Sequence, residues 1–375
     1  MKKILFLPLL SMPSGHHQVA EALIHSINRT TNGITTNKVD LLSYSHPVLE
    51  KLITAFYLKW IKVSPKTYKW AYNNFGYSKS TTYSLQWYER LFLKNMEQLI
   101  QREQPDVIVA THGFPSFLVS RLKQKRMIDV PLINVYTDFF INNVWGRDGV
   151  DYHFVPSEHI RTSLIEDSGV TAEKIVVTGI PINGKFNRVS RQFEQKQIHH
   201  ILLAGGSCGL GNMVDLLRQI DHSAKHFHFS VLCGNNVRMY EELTNWKKPY
   251  ITPLQYLSSR DEMNDLYENV DAIVTKPGGV TVSEALHKKL PIFAIAGLPG
   301  QEEINLSYLQ SESLVYKLDL NMSISSQIIE KLTNKQEWNE HQQRIEGYVQ
   351  TCQFASEKLL TVIKAINNKK VDKVG

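Results

Sequence analysis

The chain has 375 residues, 42% hydrophobic and 21% charged, a globular composition long enough for two domains with a core each. This excludes a disordered chain, and three scattered cysteines (Cys208, Cys233, Cys352) exclude a disulfide framework or a zinc spacing, as in a protein of a reducing cytoplasm. The net charge of +6 lies wholly in residues 1–160, with 18 Lys and Arg against 12 Asp and Glu; the remainder holds 24 of each.

In chain order, residues 3–9, within the apolar run "KILFLPLL", read as a buried first strand. As a secretory leader it is too short in its apolar part, and no small-residue cleavage site follows. It runs into "SMPSGHH" (11–17), which places a glycine and two histidines where the first helix, "QVAEALIHSI", begins. Further strands are expected at 36–41, 106–110, 131–136, 152–155 and 174–177. A second series falls at 199–204, 227–233, 249–252, 271–274 and 291–295, with helical stretches such as 209–224, 260–269 and 280–288 between. Strand–helix alternation predicts parallel sheets with right-handed crossovers. The polar segment 183–200 reads as a linker. The expected class is α/β: two doubly wound, Rossmann-like domains facing across a cleft, 1–185 and 186–375, the last helix able to pack back on the first domain. Ligands in such folds sit at the carboxyl ends of the strands.

Residues 47–75 combine aromatic and apolar side chains (Phe56, Trp60, Trp70) with Lys51, Lys59, Lys62, Lys66 and Lys69, and no acid after Glu50. Aromatic anchors with lysines suit an anionic membrane surface; a core hairpin with a solvated basic face is the plainer alternative. No nucleic-acid-binding motif accompanies the charge.

Three glycine-containing turns follow strands in the second part. "ILLAGGSCGLGN" (201–212) brings Gly206 and Ser207 to a helix start, and "DAIVTKPGGVTVSEAL" (271–286) brings Gly278 and Gly279. Glycines let backbone amides approach a phosphate, and the helix offers its positive end. Glu284, about one turn further in, can accept hydrogen bonds from both hydroxyls of a ribose. In "AIAGLPGQEEIN" (294–305), Gln301 and Glu302 suit the hydroxyls of a sugar, although a capped helix with a polar first turn would look the same.

Taken in order, "SGHHQVAEAL", "VYTDFFINNVW", "VTGIPI", "VLCGNN", "VTKPGGVTVSEAL" and "LPGQEEIN" resemble the monogalactosyldiacylglycerol synthase and processive diacylglycerol glucosyltransferase family. More distantly the chain is similar to the N-acetylglucosaminyltransferase of peptidoglycan synthesis. The resemblance implies a GT-B fold and a UDP-sugar donor, with inversion at the anomeric carbon and no metal or other cofactor. It implies His16, after Gly15, near the acceptor and the reacting carbon, and Asp138 at an acidic position on the acceptor side, these two being the catalytic residues, either of which could be the base. It implies donor contacts from Gly15, Gly206, Ser207, Gly278, Gly279, Thr281 and Glu284, and hexose contacts from Gln301 and Glu302. At Pro13 the chain departs from the family, which usually has glycine there; proline removes an N–H from the loop.

A histidine at the opening turn suits glycosyl transfer, since neutral imidazole can take the acceptor's proton near operating pH. Helix N-termini and amides can stabilise the departing UDP without a metal. The expectation is a UDP-sugar-dependent hexosyltransferase, with UDP-glucose as donor and diacylglycerol or a glycosyl-diacylglycerol as acceptor. It would be cytoplasmic and peripheral on the inner face of the membrane. A different acceptor, a UDP-N-acetylhexosamine 2-epimerase and a non-catalytic UDP-sugar sensor are the alternatives.

Overall fold

The structure is a computed structural model that describes residues 2–9, 14–41, 44, 60, 64, 67, 70, 86–186, 189–205, 213–220, 225–295, 297 and 300–371. The chain divides into two compact units, Met1–Asn183 with Thr351–Gly375, and Gly184–Gln350.

In the first unit the strands are β1 (Lys2–Leu7), β2 (Ile34–Lys38), β3 (Val107–Ala110), β4 (Leu132–Val135), β5 (Tyr152–Val155) and β6 (Ile175–Val177). The helices are α1 (Gly15–Thr30), α2 (Gln86–Glu103), α3 (Gly113–Gln124) and α4 (Glu158–Ser168). The strands form one parallel sheet in the order β2-β1-β3-β4-β5-β6. Helices cover such a sheet on both faces, which is why "VIVA" and "LINV" are buried at every position. The strand order reverses between β1 and β3, so the turns after these two strands flank the crevice where doubly wound sheets take ligands.

The second unit repeats the plan with β7 (His199–Ala204), β8 (Phe227–Leu232), β9 (Ile251–Leu254), β10 (Ala272–Thr275), β11 (Ile292–Ala294) and β12 (Tyr316–Lys317). Its helices are α5 (Met213–Ile220), α6 (Val237–Asn245), α7 (Arg260–Glu268), α8 (Gly279–His287), α9 (Gln301–Ser311), α10 (Ile324–Thr333) and α11 (Lys335–Thr351). The order β12-β11-β10-β7-β8-β9 puts the reversal between β7 and β10. β7 and β10, the strands that run into the glycine segments predicted for a diphosphate, therefore flank the switch point. The polar segment before β7 is pinned: Arg191 donates to the carbonyls of Tyr267 (2.6 Å), Lys288 (2.7 Å) and Val270 (2.8 Å), closing the carboxyl ends of α7 and α8. The last helix, α12 (Ala355–Val371), packs on α1 in the first unit.

The loop between β4 and β5 is tied to α3. Ser116 Oγ donates to Asn134 Oδ1 at 2.8 Å, Asn134 Nδ2 donates to the Gly146 carbonyl at 2.9 Å, and Gly146 N donates to Ser116 Oγ at 3.1 Å. A Cβ on Gly146 would lie 2.5 Å from Ser120 Cβ and 2.8 Å from the Ser116 carbonyl oxygen. Gly146→Ala should thus destabilise this unit by ~1–3 kcal/mol, the usual range for overpacking. A lowered midpoint in urea unfolding is expected, and an unchanged one would show that the loop yields freely.

The expected membrane segment lies almost wholly outside the described residues, as do Pro13, Gly206 and Ser207. Of its aromatic residues, Trp60 donates to Thr67 Oγ1 at 2.8 Å and Trp70 is exposed. Among the described residues no helix is long and apolar enough to cross a membrane.

Candidate functional site

Each switch point gathers residues expected at a site. In the first unit α1 begins after Ser14, whose extended backbone ends the turn without a side-chain cap. Gly15 and His16 thus open the helix, and β3 delivers Thr111 and His112 beside them. His16 Nδ1 lies 3.0 Å from the Thr111 carbonyl oxygen and 2.7 Å from Thr137 Oγ1. A carbonyl only accepts, so Nδ1 carries the ring proton, shared between the two oxygens, and Nε2 carries the lone pair. Both threonines are buried, which fixes the ring. Burial holds the His16 pKa below its ordinary 6.5, with His17 acting the same way and the charge of Asp138 and the Thr111 carbonyl acting against it. The imidazole is neutral at pH 7 and able to accept a proton at Nε2.

Its neighbours take other work. His17 is turned toward the end of β2, with Nε2 3.5 Å from Asp40 Oδ1. His112 caps α3 through Nδ1, which accepts from Phe114 N at 3.1 Å, and its ring meets that of His16 edge-on at 4.5 Å. Burial first, and His16 second, keep His112 well below the ordinary pKa, so it stays neutral and keeps its cap. Asp138 directly follows Thr137 and is half-buried.

In the second unit β10 runs through Lys276 and Pro277 to Gly278, which precedes α8 in an extended conformation (φ −81°, ψ 141°) and provides no side-chain cap. Open space lies where its side chain would be. The first amides of α8 lie at the positive end of a helix whose N-cap residue has no side chain to engage them. Gly279 is buried and Thr281 half-buried on the first turn. One turn on, Glu284 is 6% exposed and accepts a 2.9 Å hydrogen bond from the Tyr267 hydroxyl of α7 at Oε2. Burial raises the Glu284 pKa to about 7, against the lowering influence of Tyr267 and of Arg260.

The neighbouring turn, after β11, leads to α9. Gly300 has φ 95° and ψ −103°, open in practice only to glycine, and its N–H donates to Glu303 Oε2 at 3.3 Å. A Cβ on Gly297 would come within 2.5 Å of Glu302 Cβ, so the missing side chain lets Glu302 close on the loop. Gln301 and Glu302 are half-buried on the first turn of α9. β10 and β11 pair in parallel, so the strand that leads to the Gly278 turn and the strand that precedes α9 end side by side at the carboxyl end of the sheet.

Thr111, Thr137, His112 and Tyr267 were not singled out from sequence. The run "VIVATHG" does show a strand entering a glycine turn, the same signal that drew attention to "SGHH".

The family model for monogalactosyldiacylglycerol (MGDG) synthase matches residues 16–182. The chain is 37% identical over 375 residues to YkoN of Bacillus subtilis (strain 168), an uncharacterised glycosyltransferase, covering 98% of this chain and 97% of that one. It is 31% identical over 311 residues to the processive diacylglycerol beta-glucosyltransferase of Bacillus cytotoxicus, covering 80% and 78% respectively. Among solved structures, MurG of Acinetobacter baumannii superposes with a TM-score of 0.64 at 12% identity, over 97% of this chain and 100% of that one, a likeness of fold. Two parallel six-stranded sheets with alternating helices make this a GT-B fold. The protein is a sugar-transferring enzyme, and it belongs to the monogalactosyldiacylglycerol synthase and processive diacylglycerol glucosyltransferase family.

Proposed function

We propose that the enzyme transfers a glucosyl group from UDP-glucose to diacylglycerol or a glycosyl-diacylglycerol, inverting the anomeric carbon and needing no metal or other cofactor. The observation that carries this reading is His16, a neutral histidine with its proton fixed at Nδ1, at the switch point of a chain 31% identical to a processive diacylglycerol beta-glucosyltransferase. The acceptor hydroxyl gives its proton to Nε2 as its oxygen attacks the anomeric carbon. The bond from that carbon to the diphosphate breaks, and its electron pair leaves with UDP. Attack opposite the leaving group inverts the centre. The imidazolium so formed is stabilised by Asp138, whose charge favours the protonated ring.

The leaving diphosphate meets the first amides of α8, at Gly279, Val280 and Thr281, which supply the positive end that a metal would otherwise provide. Glu284 takes the ribose hydroxyls, Gly15, Gly206 and Ser207 approach the phosphates, and Gln301 and Glu302 take the hexose. The basic excess of residues 1–160 draws the enzyme to an anionic membrane surface on the cytoplasmic side, where the acceptor lies.

A donor-by-acceptor screen tests this directly: UDP-glucose, UDP-galactose and UDP-N-acetylglucosamine against vesicles with and without diacylglycerol, read by released UDP and product mass. The expected result is glucosyl-diacylglycerol, formed equally in excess EDTA. Activity lost to EDTA and restored by Mg²⁺ or Mn²⁺ would overturn the metal-free step. UDP-N-acetylhexosamine turnover without acceptor would replace the reaction class.

A further inference from the structure

The contact between Tyr267 and Glu284 joins two helices inside the second unit. Both side chains are buried, Tyr267 1% and Glu284 6% exposed. The phenol is edge-packed by Phe186, with ring centroids 5.6 Å apart, and its pKa is raised well above the ordinary 10, so it stays a donor at any working pH. Its 2.9 Å bond engages Oε2 of Glu284 and holds the plane of the carboxylate. The titratable and charged groups that act on Glu284, among the described residues, are Tyr267 and Arg260, both of α7. A carboxyl group so enclosed is held at the edge of ionisation, and a pair of donor hydroxyls arriving at it favours the charged form.

We propose that Tyr267 is a positioning residue of the donor site: it holds Glu284 in the orientation that meets the ribose hydroxyls, and nucleotide binding releases a proton from Glu284 to solvent. This rests on the reading of Glu284 as the ribose ligand. The carboxyl O–H breaks, its proton passes to the buffer, and the carboxylate accepts from the ribose. With the free carboxyl titrating at about 7, release is about half a proton at pH 7, grows toward pH 6 and vanishes above pH 9. Without the phenol, the ionised form loses a hydrogen bond, so the carboxyl titrates at higher pH.

The test is isothermal titration calorimetry of the full chain with UDP from pH 6 to 9, in buffers of different ionisation enthalpy. Glu284→Gln, which has no proton to release, is the reference for titration of the nucleotide itself. Tyr267→Phe should move the midpoint of the affinity–pH curve upward by roughly one to two units, the worth of a hydrogen bond to a charged group. Affinity should fall by roughly tenfold at pH 7 and by less than about twofold at pH 9. A loss equal at every pH would mean that Tyr267 acts through structure alone and would overturn the proposal, as would a parental curve. If Glu284→Gln keeps the parental curve and proton release, the ribose assignment itself is wrong. Circular dichroism of each variant shows whether the fold is retained; should Tyr267→Phe unfold, proton release by the parent that is absent in Glu284→Gln remains the test, and its absence in the parent overturns the proposal.

Discussion

His16→Ala is expected to lower turnover by about 10²–10⁴-fold, the usual worth of a positioned general base, while UDP affinity stays nearly unchanged. The first half follows from the geometry at α1. The Thr111 carbonyl and Thr137 hydroxyl hold Nδ1 at 3.0 and 2.7 Å, so the ring presents one basic nitrogen and cannot exchange tautomers cheaply. The second half follows from the assignment of nucleotide contacts mainly to α8 and its neighbouring turn. The pH profile provides an independent check. A base works unprotonated, so kcat at saturating UDP-sugar, where Glu284 is already ionised, should be constant at neutral pH and fall only as acid protonates His16. Burial lowers that pKa, which places the acid limb below the ordinary histidine value of 6.5. A limb above 6.5 in the parent would contradict a buried base. Turnover that barely changes in His16→Ala would transfer the role to Asp138, since His17 is engaged toward Asp40.

The strands were legible because parallel sheets bury both faces, which turns each central strand into a short, unbroken apolar run such as "VIVA" or "AIVT". Edge strands gave weaker signals for the same reason. β2, "ITTNK", is only partly covered and pairs with β1 from Ile34, two residues before the expected start, while Val39 and Leu41 supply apolar surface beyond the strand. β12 has two residues, too few for any pattern. Segment 183–200 looked like free linker because its polar composition hides the role of Arg191, whose partners are three backbone carbonyls.

Within the candidate site, glycine next to histidine at a strand end is a side-chain pattern, and so His16, Gly278, Gly279 and Glu284 could be nominated from sequence. Thr111 acts through its carbonyl, a group every residue has. Thr137 is 121 positions from His16 and meets it only after β1, β3 and β4 pair. Tyr267 sits on an amphipathic helix where any large apolar residue would suit the core equally well. What the sequence could not encode locally is the partner that fixes each functional group.

Glu284→Ala should weaken UDP binding by ~1.5–3 kcal/mol, the range for a hydrogen bond to a charged group, or about 10- to 150-fold in Kd at pH 8. At that pH the parent carboxyl, which titrates at about 7, is mostly ionised, and the full contribution is measured. As the pH falls through 7 the parent's carboxylate is neutralised, so its advantage over the alanine variant should shrink, with little difference left near pH 5.5. This sign follows from burial, which favours the neutral acid, and is opposite to that of an exposed glutamate, whose effect would persist to about pH 4. The substitution also leaves the Tyr267 hydroxyl without its buried acceptor, so some loss of thermal stability should accompany the loss of affinity. The two are separable: a general loosening of the second unit would weaken nucleotide binding by the same factor at every pH. Equal UDP affinity in parent and variant at pH 8 would remove Glu284 from the donor site. In that case the carboxyl would be a structural partner of Tyr267, and the ribose would have to be sought nearer Gln301 and Glu302.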